Sequence, residues 1–104
     1  MNNKIPFSII FENQNIDFFL EAHPETKSPE HLTRISTEIL DILDSNVKRN
    51  KISDGDLIQA LAVVTAIRIY WSGFDPDKLR KFSDDLVKKT VSNIKSGKFT
   101  KIGS

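Results

Sequence analysis

Cysteine is absent from the 104 residues, which excludes a disulfide framework, a thiolate nucleophile and any cysteine-ligated zinc or iron–sulfur centre. Histidine is scarce. The two imidazoles, His23 and His31, have no His-x-x-x-His or Glu-x-x-His spacing that would converge metal ligands. Glu25 and Glu30 stand near them, but Glu30 directly precedes His31, so the two point to different sides of a helical turn. The sequence therefore predicts two solvated surface histidines and no metal or cofactor. Long apolar runs are also lacking: the longest uncharged stretch, residues 57–67, ends at Arg68, well short of the roughly 20 residues needed to span a bilayer. The start of the chain, Met1-Asn2-Asn3-Lys4, precedes only a short apolar run that holds Pro6 and soon meets Glu12, unlike a secretory h-region. A cytoplasmic protein with no membrane segment is expected.

Catalytic motifs are missing as well. There is no phosphate-cradling glycine loop, nucleophile elbow or dinucleotide fingerprint. Asp54-Gly55-Asp56 has the look of a calcium-loop fragment, but Leu57, Ile58 and Gln59 follow where further oxygen ligands would be needed. Asp75/Asp77 sit where a helix start favours acids, and adjacent Asp84/Asp85 do not face one another on a helix. The expectation is a protein without enzymatic activity.

What is present is an ordinary globular composition, 38% hydrophobic and 28% charged, which predicts one domain with one core. No segment repeats another, and no run is low in complexity. The net charge of +1 hides an asymmetry. Residues 1–47 carry three bases and eight acids, net −5; residues 48–74 carry four bases and two acids, net +2; residues 75–104 carry eight bases and four acids, net +4. An acidic front and a basic back suit contact with an acidic partner, with nucleic acid or with a second copy.

The predicted fold class is mainly α: a three-helix bundle with a short N-terminal β-hairpin. The expected divisions are a hairpin and loop over 1–27, the bundle over 28–97 and a flexible basic tail over 98–104. In the hairpin, residues 7–11 and 16–20 flank the turn formers Glu12-Asn13-Gln14-Asn15. A four-residue loop would pair Phe11 with Ile16, Ile9 with Phe18 and Phe7 with Leu20 on one apolar face. The competing reading starts a short helix at Asn15 and ends it at Pro24, giving four helices and no strands.

Helix signals are clear from residue 28 onward. Ser28 as N-cap and Pro29 at the first helical position open a helix with apolar Leu32, Ile35, Ile39, Ile42, Leu43 and Val47. Ser53 caps the second, with Asp56 at the third helical position and Ile52 as a staple. From 57 to 71 almost every position is apolar, and Thr65, Arg68 and Ser72 share one narrow stripe, so this helix is expected to be central and covered on most of its circumference. Gly73 is placed as a left-handed C-cap, and Asp75-Pro76 as the restart. The third helix carries Leu79, Phe82, Leu86, Val87, Val91 and Ile94, and Gly97 ends it.

Candidate binding residues gather near the end of the second helix. Tyr70, Trp71 and Phe74 are of the type that anchors interfaces, although such aromatics also fill cores. Arg68, interrupting an apolar helix, either opens to solvent along the stripe of Thr65 and Ser72 or pairs with a carboxylate such as Glu38 or Asp41, the functional alternative being an anion from a ligand or partner. These four residues are the expected partner-binding set. The reading is a small non-catalytic interaction or adaptor protein that binds a protein partner or a second copy of itself, because 104 residues offer little to cover the central helix on all sides. The alternative is a nucleic-acid-binding regulator using Lys78, Arg80, Lys81, Lys88, Lys89 and Lys95 on the third helix. Against it, that helix groups no base-reading side chains at its start.

Overall fold

The computed structural model describes residues 4–11 and 13–102. The start of the chain, read above as no export signal, Glu12 of the hairpin loop and the last two residues of the tail lie outside the described residues. In chain order the elements are β1 (Lys4–Phe11), β2 (Gln14–Glu21), α1 (Pro29–Asn50), α2 (Asp54–Trp71), α3 (Pro76–Lys95) and β3 (Lys98–Lys101). No helix among the described residues is long and apolar enough to cross a membrane. The chain divides into two compact units, Met1–Thr33 with Asp85–Ser104, and Arg34–Asp84.

The first unit is built on a three-stranded antiparallel sheet in the order β1-β2-β3. Strand β2 takes the place of the helix that could have begun at Asn15. Its aromatic and β-branched residues suit a pleated surface that is covered on one side. The register differs from the expected one by two residues: Phe11 opposes Gln14, Ile9 opposes Ile16 and Phe7 opposes Phe18. The connection is therefore two residues long, with Asn13 in the left-handed region at φ 63°. Two-residue loops with positive φ match the twist of paired strands, and asparagine tolerates that conformation. A shift of two preserves parity, so the expected apolar face survives with different partners. It contains Ile5, Ile16 and Phe18, the buried residues among those described. The Phe7 and Phe18 rings stack at 5.6 Å on it.

Strand β3 corrects a second expectation. Residues 98–101, read as part of a loose basic tail, pair with Gln14–Asp17 of β2, and the Ile102 amide donates to the Asn13 carbonyl at 2.8 Å. Period-2 alternation is hard to read in so short a segment, and its partner lies far away in sequence. Gly97 makes the join possible. A Cβ there would stand 2.6 Å from the Asp17 carbonyl oxygen and 2.9 Å from Phe18 Cβ. The glycine that ends α3 is thus required by the close approach of the chain to β2. The charge asymmetry is partly consumed in this unit: Lys98 opposes Asp17 in the β-ladder, and Lys89 Nζ lies 2.8 Å from Glu21 Oε2.

The second unit holds most of α1, all of α2 and the start of α3. The helix starts follow their caps. The His31 amide donates to Ser28 Oγ at 3.2 Å, and the Asp56 amide to Ser53 Oγ at 3.2 Å. Helix α1 ends where Lys51 turns left-handed, at φ 52°. Half-buried positions in this unit include Leu43 and Val47 of α1, Leu57 and Ile69 of α2, and Leu79 and Phe82 of α3. None of its residues is buried. The expectation that α2 is covered on most of its circumference is therefore not met within the chain. Apolar residues surround α2, and the apolar stripe of α1 is itself exposed at Ile35, Ile39 and Ile42.

Candidate interaction surface

The corner between α2 and α3 is built by short-range hydrogen bonds. Ser72 closes α2: its amide reaches the Ile69 carbonyl at 3.2 Å, and its hydroxyl donates to the same oxygen at 2.7 Å. The Phe74 amide in turn donates to Ser72 Oγ at 3.2 Å. Gly73 takes φ 83°, as its expected role at the helix end demands. Asp75 then caps α3, accepting from the Asp77 amide at 3.0 Å. Glycine and aspartate take the local roles their positions predicted, whereas Ser72, read in the sequence only as part of the polar stripe of α2, closes the helix.

This corner sets Tyr70, Trp71 and Phe74 outward, at 73%, 71% and 72% exposure. They are a surface feature of the second unit and do not fill a core. Ile58, Val63 and Val64 of α2 are also more than half exposed. Such a concentration of large apolar groups exceeds the scattered exposure normal for a protein surface. Arg68 belongs to the same helix and is exposed. Its expected salt bridge to Glu38 or Asp41 does not form. Glu38 instead lies 3.9 Å from Arg34 on its own helix, and no ion pair to Arg68 is found among the described residues. An exposed guanidinium keeps its hydration and can forgo a carboxylate.

The basic residues of the alternative reading all lie on α3, but they are not equivalent. Arg80 donates to Asp84 Oδ2 at 2.9 Å, and Lys89 is held by Glu21. Lys81, Lys88 and Lys95 recur at seven-residue spacing, and Asp77, Asp84 and Asp85 interrupt the stripe they form. A phosphate-tracking face would be more uniformly positive.

In the first unit, Glu21 receives the Lys89 ammonium, and its carboxyl is held below its ordinary value of 4.5 by that hydrogen bond and charge. The Glu21 amide donates to Asn93 Oδ1 at 3.4 Å, so α3 grips the end of β2 at two points one turn apart. A shallow groove of about 590 Å³ runs beside Gly97 between Lys4, Pro6, Asp17, Phe19, Asn93 and Lys98. Among the described residues the charged groups lining it are Lys4, Asp17 and Lys98, and Asp17 Oδ2 accepts from Asn15 Nδ2 at 2.8 Å. His23 Nδ1 accepts from the Glu25 amide at 3.0 Å within the loop after β2. Among the described residues, no three His, Asp or Glu side chains gather as a metal ion would require.

Sequence reasoning missed the roles of Asn93 and Lys89, which depend on what α3 meets in space. No protein-family model, curated protein or solved structure was found to match the chain.

Proposed function

We propose that the protein is a small non-catalytic interaction protein of the cytoplasm that associates with a second copy of itself through α2. The observation that carries this reading is a helix apolar around most of its circumference and yet without one buried residue. A helix of that kind belongs in an interior. The three aromatics each present 150–250 Å² when fully exposed, so at their observed exposure they offer about 400 Å² per chain, or about 800 Å² for two copies. With Ile58, Leu61, Val63, Val64 and Ile67 added, the area exceeds the roughly 1,000 Å² that a specific interface needs. In the associated form, the exposed stripe of α1 at Ile35, Ile39 and Ile42 completes the covering, and the helices reach the closed bundle that their periodicity calls for.

Sedimentation of the full chain from low to high micromolar concentration tests the reading. A dimer is expected, with Trp71→Ala weakening it by roughly 30-fold, about 2 kcal/mol, as for a central aromatic anchor. A monomer throughout that range would refute self-association.

A further inference from the structure

The sheet of the first unit ends on two strands that have a neighbour on one side only, β1 and β3, and a bare strand edge is a template on which another chain can continue the sheet. The two edges differ in how strongly they invite it. Strand β3 is four residues long and has lysine at both ends, features that discourage pairing. Strand β1 has eight residues. Its positions 5–11 carry no charge and are isoleucine and phenylalanine but for Pro6 and Ser8, a composition of high β-propensity that favours strand stacking.

The ladder fixes which backbone groups of β1 face outward. A two-residue connection closes on a hydrogen-bonded pair, here Phe11 and Gln14, and such pairs alternate along an antiparallel ladder. Ile5, Phe7, Ile9 and Phe11 therefore turn their amides and carbonyls toward β2, and Pro6, Ser8 and Ile10 turn theirs to the free edge. The far side of β2 agrees: the Ile102 amide bonds the Asn13 carbonyl, so residue 13 faces β3 and Gln14 faces β1. Pro6 has no N–H. At this position it costs the ladder nothing and removes a donor from the free edge. Pro6, Ser8 and Ile10 are all exposed. A strand arriving there would find one of its carbonyls without a donor at Pro6 and the pyrrolidine ring in its way. We infer that Pro6 closes the β1 edge to further strands, so that the sheet of one chain does not grow onto another. Association through α2 belongs to the other unit and is independent of this edge.

Pro6→Thr restores the missing amide with a polar side chain that suits a strand, so any gain in association cannot come from added apolar surface. Sedimentation velocity of variant and wild type at equal concentrations reads size, circular dichroism confirms the fold, and hydrogen exchange followed by NMR reads the outward amides. In Pro6→Thr, species larger than those of wild type are expected at about tenfold lower concentration, as for a buried acceptor that regains its donor. The Ser8 and Ile10 amides, freely exchanging in wild type, are expected to become protected. Combining Pro6→Thr with Ser8→Pro moves the block to the next outward position and is expected to return the sizes to those of wild type. Unchanged sizes together with freely exchanging Ser8 and Ile10 amides in Pro6→Thr would overturn the inference. So would a folded double variant that associates as strongly as Pro6→Thr. Protection of those two amides in wild type would show the edge already taken, and would overturn it as well.

Discussion

Gly97→Ala is the most informative single substitution, because its effect on the first unit can be worked from atomic positions. A methyl at residue 97 would sit 2.6 Å from the Asp17 carbonyl oxygen, about 0.8 Å inside the 3.4 Å at which ordinary contact begins, and 2.9 Å from Phe18 Cβ. The obstacle is backbone of the central strand and cannot swing aside as a side-chain tip would. Relief requires β3 and the end of α3 to withdraw from β2, straining the ladder at Asp17↔Lys98 and Ile16↔Phe99. Overpacking of this kind costs about 1–3 kcal/mol. The reduced freedom of the unfolded alanine chain offsets about 0.4–1 kcal/mol. A net loss of about 1–2 kcal/mol corresponds to a Tm lower by roughly 5–15 °C for a chain of this size. Urea and thermal unfolding followed by circular dichroism would read it, at one fixed protein concentration because association raises apparent stability. Two other glycines are controls. Gly55 has only Ser53 Oγ nearby, at 4.0 Å, so Gly55→Ala is expected to stabilise α2 by about 0.5–1 kcal/mol. Gly73 has open space but φ 83°, so Gly73→Ala is expected to cost about 1 kcal/mol through conformation alone. Equal stability of wild type and Gly97→Ala, with β3 amides still protected from hydrogen exchange, would refute the close-approach argument.

Other outcomes follow from single contacts. Ser53→Ala removes the acceptor for the Asp56 amide and is expected to cost about 1 kcal/mol in urea unfolding. Lys51→Gly relieves a left-handed backbone position and is expected to stabilise the end of α1 by about 1 kcal/mol. The Glu21 carboxyl, depressed by Lys89, contributes stability that is fully present above its ordinary value of 4.5 and is lost as pH falls through its lower folded-state value. In Lys89→Ala, an NMR titration should find that carboxyl moved up toward 4.5, and an unmoved titration would contradict the pairing.

The N-terminal starts of α1 and α2, and the Gly73 and Asp75 parts of the α2–α3 corner, were legible in the sequence because each is decided by residues within about one turn. Ser28, Ser53 and Asp75 accept from amides two or three positions on, and Gly73 supplies its own left-handed φ. The hairpin was legible as a hairpin, and its apolar face as a face, because strand parity survives a shift of two. Its register was not, because the choice between two-residue and four-residue loops turned on the conformation open to Asn13. For the candidate site, Tyr70, Trp71 and Phe74 were identifiable by type and spacing, yet their state as core or surface was not.

What the sequence by itself determined is local: where most helices begin and end, which residues are apolar on which face, and that cysteine, long apolar runs and familiar catalytic motifs have no part here. Only the tertiary structure decided that residues 98–101 close the sheet as β3, that Gly97 must lack a side chain and that Lys89 belongs to Glu21. Each of these joins segments more than 65 positions apart, and no periodicity along the chain encodes such a meeting. The same holds for α2. Its sequence specifies a helix that is apolar almost all round, but how much of it one chain can cover depends on the width of the neighbouring stripes, and the structure leaves Arg68, Tyr70, Trp71 and Phe74 facing outward.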